Sequence, residues 1–420
     1  MPAAMIANDG VHKPWAVRRL SPVAASPRAG RGRAGGDAGM NFKRVSLALK
    51  LESDRMIYLD LLRVASCFTI FIYHFQSQMD LGDAAGMVRA WLNSFTLSVE
   101  LFFFISGFVI NSVYAGRVRS VADYKDFVVK RIARIVPLHW ATFAIFAFFG
   151  VLNAMGYLPS NHPELYDPRC AVPNLLLVHA FGVCSGLSFN FVSWSISAEM
   201  GMYLLFPLLA IIAARRYLSL VVVVALIAGL TIVSQRTGWA WLEASYDGGV
   251  VRALPTFLLG MISYHHRHLL GRIPRAGAWL LAFALLFLAG SLLHWPKLLL
   301  LPVMYAIAAL GVAASEQPAS RVARGTAPIS QLTYGLYMLH PLVQSVVLTG
   351  IGATLLQLRG VPMTLFVFAG IALLLPLSWL SLMLIERPAR RWLTRLMGSR
   401  RAERPKAAPE PALFTPDSRW

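Results

Sequence analysis

An arginine and a histidine lie within the first long apolar stretch of this sequence, where a charged side chain costs roughly 3 kcal/mol to place in hydrocarbon. Arg63 and His74 are eleven residues apart, so on a helix they project from one face, about 16 Å apart along its axis. Alone, either residue has a structural explanation, as an arginine paired with Asp60 or as a histidine bonded to a carbonyl. The pair on one face favours function, because an imidazole can act as a general base near neutral pH.

Two carboxylates are predicted at a depth similar to that of the histidine. Counting from the starts of their apolar stretches places Glu100 and Glu199 about 9 Å below the outer surface, within about one turn of His74. Three interpretations remain open: a general base with its orienting acid, a proton relay of a transporter, and a buried network that holds helices together. The first two predict a water-accessible cavity, and the third does not.

A pair of arginines precedes the third apolar stretch, which we expect to begin near Pro137. Arg131 and Arg134 are about one helical turn apart and face the same way. We interpret them as lying in a cytoplasmic loop, where such residues often serve only as positively charged anchors. Neighbouring guanidinium groups also clamp phosphates well, and this is the functional alternative.

Other polar positions give weaker signals. Ser106 and Gly107 are small and permit close helix packing, whereas a serine nucleophile would lack a base adjacent in sequence. His340 is followed by Pro341, which predicts a helix break that lines a cavity. We predict no metal site, because the one histidine cluster lies in a basic loop without a nearby carboxylate: His265, His266 and His268.

The composition indicates a membrane protein. Of 420 residues, 57% are hydrophobic and 14% are charged, against about 25% charged in a soluble domain. This deficit excludes a soluble cytosolic enzyme, a nucleic-acid-binding protein and a disordered scaffold. The excess of 39 Lys and Arg over 20 Asp and Glu then reflects the positive-inside rule. Of three cysteines, Cys170 and Cys184 are the pair that could form one disulfide.

Ten apolar stretches are candidates to cross a bilayer, which needs about 20 residues of helix. They run over 56–76, 94–114, 136–153, 193–213, 217–234, 250–264, 277–294, 298–315, 332–350 and 362–385. The patch over 174–183 is too short to span, and we expect it to re-enter the membrane or lie at its surface. The predicted fold is an all-α polytopic membrane protein with about ten transmembrane helices.

The distribution of positive charge predicts the orientation. With the N-terminus inside, 32 Lys and Arg fall on the cytoplasmic side and five on the other, so both termini are predicted to be cytoplasmic. We expect a disordered or mis-started basic tail over 1–53, the transmembrane domain over 54–396, and a disordered cytoplasmic tail over 397–420.

Over nearly all of residues 53–395 the sequence resembles the acyltransferase-3 family of bacterial membrane acyltransferases. The resemblance rests on six motifs in order: the Arg-x10-His spacing of Arg63 and His74, then Glu100–Phe108, Arg131–Pro137, Trp194–Glu199, Tyr334–Pro341 and Glu386–Pro388. Glu100 stands where many members have Asp, and Leu62 and Val64 stand where many have Gly. These departures indicate a divergent branch.

The resemblance implies roles for individual residues. Members commonly move acetyl from acetyl-CoA onto sugars of cell-surface polymers. By position, the implied catalytic residues are His74, Glu100 and Glu199, and the implied donor-binding residues are Arg63, Arg131 and Arg134. We also expect contact with substrate from Ser106, Trp194 and His340.

The predicted function is therefore transfer of an acyl group from acetyl-CoA or another acyl-CoA to a carbohydrate hydroxyl, at the bacterial inner membrane. The acyl-CoA is a co-substrate, and we expect no permanently bound cofactor. The expected partners are the donor, a carbohydrate acceptor and membrane lipid, without nucleic acid. The main alternative is a proton-coupled transporter or flippase of a sugar conjugate. A further alternative is a structural membrane protein whose polar groups only hold helices together.

Overall fold

A computed structural model describes residues 56–398 of the chain, except residues 80, 159 and 161. This part of the chain is helical and contains no β-strand. The predicted tail over 1–53, and nearly all of that over 397–420, lie outside the described residues. The α-helices, in chain order, are α1 (Ile57–Phe75), α2 (Ala85–Leu92), α3 (Ser98–Tyr114), α4 (Val121–Ala154), α5 (Ala171–Leu175), α6 (Trp194–Ala213), α7 (Arg216–Thr237), α8 (Gly249–His265), α9 (Arg267–Leu270), α10 (Ala276–Leu292), α11 (Lys297–Ser315), α12 (Arg321–Thr326), α13 (Thr333–Leu342), α14 (Gly360–Ser381) and α15 (Arg387–Leu396).

The long helices coincide with the ten predicted apolar stretches. In the described part of the chain, eight helical segments are long and apolar enough to cross a membrane. The remaining two stretches form α8 and α10, with 17 residues each, or about 25 Å of helix. The prediction of an all-α polytopic membrane protein is confirmed.

Helix α4 begins much earlier than the sequence predicted. Ser120 accepts a hydrogen bond from the backbone N–H of Asp123, and the Asp123 carboxylate accepts one from the N–H of Ser120. This capping box starts the helix at Val121, and the helix continues through Pro137. The loop expected around Arg131 and Arg134 is therefore wrong, because both arginines lie within a regular helix.

Helices α3 and α8 pack with their backbones in contact. A Cβ atom on Gly107 would overlap the carbonyl oxygen of Phe257, and one on Gly260 would overlap that of Phe104. Only glycine allows so close an approach. The predicted packing role of Gly107 is confirmed, and it holds the neighbouring Ser106 at a fixed place in the bundle.

The sequence predicted a helix break at Pro341, but the helix is not interrupted there and changes from α-helix to π-helix. Proline lacks the N–H group that an α-helix requires at that position. The chain stays helical through Pro341 and continues as a π-helix over Val343–Leu355. His340 thereby stays within a continuous helix, and its side chain is buried.

The segment between α4 and α6 enters the bundle. Cys170 and Cys184 form a disulfide, with their Cα atoms 5.7 Å apart. Within the closed loop, Asn174 and His179 are buried, and Asn174 donates hydrogen bonds to the Cys170 carbonyl and the Ser188 hydroxyl. These contacts fix the turn that leads into α6.

Candidate active site

Cavities follow helix α1 from one end of the bundle to the other. At the Arg63 end, a pocket of about 250 Å³ is lined by Arg63, Arg134, Arg387 and Arg390, and we name it the basic pocket. It shares Arg63, Arg134 and Tyr334 with a deeper cavity of about 120 Å³, the central cavity. Guanidinium groups therefore stand at the entrance to the interior.

The series of cavities continues to the opposite end. Tyr337 lines both the central cavity and a pocket of about 190 Å³ around His74, the histidine pocket. Two larger clefts adjoin it, the His162 cleft of about 780 Å³ and the Trp295 cleft of about 610 Å³. Asn93 lines the histidine pocket and both clefts. Cavities that share lining residues thus follow one another between the two ends of α1.

Helix α1 presents both Arg63 and His74 to these cavities, as the sequence predicted. Arg63 lines the basic pocket and the central cavity, and forms an ion pair with Asp60 at 3.2 Å. His74 lines the histidine pocket and the His162 cleft. The face of α1 that carries Arg63 and His74 is therefore bordered by cavities at both ends of the helix.

The geometry around His74 defines which ring nitrogen can act as a base. Its Nδ1 lies 3.1 Å from the Ile70 carbonyl oxygen and 3.3 Å from Nε2 of His340. A carbonyl oxygen only accepts hydrogen bonds, so the hydrogen bond to Ile70 requires a proton on Nδ1. The lone pair then belongs to Nε2, the nitrogen suited to accept a proton from a substrate.

His340 holds this arrangement in place. Its side chain is fully buried, and its ring lies 5.2 Å from that of Phe71 and 5.6 Å from that of Tyr337, centre to centre. On the other side, the ring of Phe191 contacts His74 at 5.3 Å. The two imidazoles therefore have little freedom to move apart.

The two predicted acidic partners lie elsewhere. Glu199 accepts hydrogen bonds from Ser106 and, at 2.5 Å, from Tyr203, and it lines the central cavity. Glu100 is bound to other groups inside the bundle. Among the described residues, neither carboxylate hydrogen-bonds to His74. The prediction that a carboxylate is the partner of His74 is therefore wrong, and the side chain beside its Nδ1 is that of His340.

The correction has a clear origin in the fold. The depth estimate assumed that α6 starts at the outer surface, but the preceding segment enters the bundle first. Trp194, the first residue of α6, already lines the histidine pocket. Glu199 is five residues further along, about 7.5 Å deeper, and so lies with Arg63 in the central cavity.

Glu100 belongs to a buried ion pair that ties α3 to α8. Its carboxylate accepts hydrogen bonds from Arg252 at 2.8 Å and from Thr256 at 2.7 Å. The Arg252 guanidinium also stands 5.1 Å above the ring of Trp194 and lines the histidine pocket. Glu100 therefore holds Arg252 in the wall of the histidine pocket, and Trp194 forms part of the same wall.

The two predicted donor-binding arginines on α4 share one cavity but differ in freedom. Arg131 is 8% exposed and is enclosed by the rings of Tyr114, Phe127 and Tyr203, with a hydrogen bond to the Tyr114 hydroxyl at 3.1 Å. Arg134 is exposed and lines both the central cavity and the basic pocket. Arg134 is therefore the more accessible cation.

Several site residues had no role in the sequence interpretation. Lys297 donates hydrogen bonds to Glu243 at 2.8 Å and to Asn93 at 3.2 Å, at the junction of the histidine pocket and the Trp295 cleft. The sequence signal for Lys297 was its place among the five basic residues on the outer side. Arg390 of the basic pocket was counted only as a tail charge, and Arg387 only as a tail charge and as part of the Glu386–Pro388 motif, although their spacing places them on one helix face.

Comparison with known proteins gives two matches. A protein-family model described as an acyltransferase domain matches residues 56–383. The acyltransferase MdmB of Streptomyces mycarofaciens is 34% identical over 154 residues, which cover 35% of this chain and 37% of that relative. The matched region thus spans little more than a third of the relative's length. No solved structure matches this chain.

Proposed function

The chain belongs to the acyltransferase-3 family and is a multi-pass membrane acyltransferase, and from this we propose that it transfers an acyl group from acyl-CoA to a carbohydrate hydroxyl. Acetyl-CoA is the proposed donor, and a cell-surface or lipid-linked glycan is the proposed acceptor. One observation carries the proposal: a series of cavities with shared lining residues lies between a pocket of arginines and a histidine base about 16 Å further along α1.

The donor enters at the Arg63 end, which we assign to the cytoplasm. The charge distribution favours this orientation. The Cys170–Cys184 disulfide supports it independently, because it lies between α4 and α6 on the side predicted to be outside. Disulfides form and persist in oxidising compartments rather than in the cytosol.

Each part of coenzyme A has a chemical counterpart along this path. Its phosphates meet Arg63 and Arg134, since guanidinium groups bind phosphate oxygens with paired, charge-assisted hydrogen bonds. The amide N–H groups of its pantetheine arm can donate to Glu199 in the central cavity. The thioester reaches the histidine pocket past Tyr337, whose hydroxyl is hydrogen-bonded to Ser195 at 2.9 Å. Tyr337 therefore borders the path of the donor between the two cavities.

The reaction itself takes place at His74. Its Nε2 accepts the proton of the acceptor hydroxyl as the hydroxyl oxygen attacks the carbonyl carbon of the thioester. The C–S bond breaks, and the acyl group remains on the acceptor oxygen as an ester. The departing thiolate takes the proton from the His74 imidazolium and leaves as free CoA.

The acceptor approaches from the opposite side through the two clefts. The His162 cleft and the Trp295 cleft are both lined by Ala90 of α2 and both adjoin the histidine pocket at Asn93. The charges beside that pocket are compensated, by Glu243 for Lys297 and by Glu100 for Arg252. Compensated charges and amide groups suit a polyhydroxylated acceptor without a strong charge of its own.

The experiment uses the full-length protein in nanodiscs with acetyl-CoA and surface glycans from a strain lacking the gene. Released CoA thiol and new acetyl esters are measured together, the esters by mass spectrometry. His74→Ala should lower turnover by about 10²–10⁴-fold. His268→Ala removes an exposed histidine outside these cavities and should match the wild type.

Three results would contradict the proposal. Full activity of a folded His74→Ala variant would show that His74 is not the base of the reaction. If no new acetyl esters were found on the glycans, a carbohydrate would not be the acceptor. Acetylation that depends on a transmembrane ion gradient would favour the proton-coupled transport alternative.

A further inference from the structure

Helix α15 forms one wall of the basic pocket. Arg387 and Arg390 line the pocket, and their spacing of three residues places both on one face of the helix. Arg63 and Arg134 line the same pocket from α1 and α4. The family model matches residues 56–383, and of the two arginines only Arg387 falls within a motif of the resemblance, Glu386–Pro388.

The charges of the pocket favour an anionic ligand. Four guanidinium groups share it with two carboxylates, those of Asp60 and Glu386. Asp60 is within 3.2 Å of Arg63, and Glu386 accepts a hydrogen bond from Ser381 at 3.1 Å. The four guanidinium groups outnumber the two carboxylates, so the lining of the pocket carries an excess of positive charge.

The order of the cavities indicates which anionic group this is. The basic pocket meets the central cavity at Arg63, Arg134 and Tyr334. We call this meeting point the neck. The Tyr334 hydroxyl donates a hydrogen bond to the Ile135 carbonyl at 2.5 Å, which fixes the position of Tyr334 at the neck. With the pantetheine arm in the central cavity, the pyrophosphate of CoA lies at the neck. The adenosine and its 3′-phosphate then lie in the outer part of the pocket.

We propose that Arg387 and Arg390 of α15 bind the ribose 3′-phosphate of coenzyme A. This inference rests on the proposed function, because it takes acyl-CoA as the donor. Together with the arginines at the neck, it assigns separate arginine pairs to the two phosphate groups of the donor. The enzyme then distinguishes CoA from nucleotides and thioesters that lack a 3′-phosphate.

The test compares the affinities of CoA and 3′-dephospho-CoA for the full-length protein in phosphatidylcholine nanodiscs. The wild type should bind CoA about tenfold more tightly, since a charge-assisted contact to phosphate is lost in the analogue. Arg390→Ala should lower the affinity for CoA to that for dephospho-CoA and leave the latter unchanged. Arg390→Lys, which keeps the charge, should recover part of the preference.

Arg391→Ala is the matched control. It removes the same charge from the neighbouring position of α15, outside the pocket, and should retain the full preference for CoA. Both arginines are exposed, and thermal melting of each variant verifies that the fold is intact. Repeating the measurement with phosphatidylglycerol in the nanodiscs shows whether Arg390 acts through lipid headgroups.

The outcomes separate this inference from the proposed function. A wild type that binds neither ligand contradicts the acyl-CoA donor itself. A wild type that prefers CoA, with the preference kept in Arg390→Ala, leaves the donor and overturns the role of α15. Equal weakening of both ligands, or an effect seen only with anionic lipid, also overturns it.

Discussion

The two ends of the cavity series differ in how their charges are balanced. At the Arg63 end, four arginines and two carboxylates line one pocket. At the His74 end, the buried cation Arg252 and the largely buried cation Lys297 each contact a carboxylate, at 2.8 Å in both pairs. One end therefore attracts anions, and the other offers hydrogen bonds with little net charge.

This difference shows how one membrane protein can take two substrates from opposite sides. A cluster in which one sign of charge is in excess raises the local concentration of ligands of opposite charge and excludes those of the same charge. Compensated pairs provide donors and acceptors without that selection. A phosphorylated donor is thus kept at one end, and a hydroxyl-bearing acceptor is free to enter at the other. The contrast predicts that substitutions at each end affect one substrate only.

Reversing a charge at the Arg63 end should produce the largest change. Arg134→Glu places a carboxylate at the neck of the basic pocket, where we assign the donor's pyrophosphate. The KM for acyl-CoA should rise by about 100-fold, because two charge-assisted contacts are replaced by repulsion. Initial rates at varied acyl-CoA and fixed acceptor give this value.

The control is Lys125→Glu, the same charge change at an exposed position of the same helix, outside the cavities. It should leave the KM for acyl-CoA within about twofold, as expected for a screened surface charge. An equal rise in both variants would mean that the total charge of this end matters, and not the position of Arg134.

At the His74 end, His340→Gln should lower kcat about tenfold. His340 holds the Nδ1 side of His74, and small misplacements of a catalytic group reduce turnover without weakening binding. The KM for acceptor and for donor should therefore stay unchanged. The sequence assigned His340 to substrate binding, and that assignment predicts the opposite split, with a raised acceptor KM and an unchanged kcat.

The sequence predicted the fold well because transmembrane helices are marked by apolar length and by flanking charge. It also placed Arg63 and His74 on one face, since both lie on one helix and the helical repeat is fixed. Relations within a single helix follow from spacing alone. The prediction that Ser106 and Gly107 allow close packing came from the small size of these residues and did not name α8 as the helix that approaches.

Relations between helices could not be obtained in that way. The partner of His74 depends on how far α6 and α13 enter the bundle, and an entering loop places Glu199 about 7.5 Å, or roughly one and a half turns, deeper than the histidine pocket. Arg252 illustrates the same point, because its partner Glu100 is 152 residues away in the chain. No periodicity within either helix indicates that distance.

Breaking one compensated pair should weaken acceptor binding only modestly. Lys297→Met leaves the Glu243 carboxylate without this cation beside the histidine pocket, and the acceptor KM should rise about fivefold, as for a pair worth roughly 1 kcal/mol. The double variant with Glu243→Leu restores charge balance and should recover part of the loss. The KM for acyl-CoA should not change. A larger loss in the double variant would show that the carboxylate itself binds the acceptor.

Salt should give the smallest effect and should distinguish the two ends without any substitution. Raising ionic strength from about 0.1 M to 1 M shortens the screening length from about 10 Å to 3 Å. The exposed arginines of the basic pocket then attract phosphates less strongly, so the KM for acyl-CoA should rise about threefold. The acceptor KM should remain constant, because Glu100 and Arg252 neutralise each other and are buried away from the salt solution. A parallel rise in both KM values would mean that the acceptor is also anionic, and the contrast between the ends would not hold.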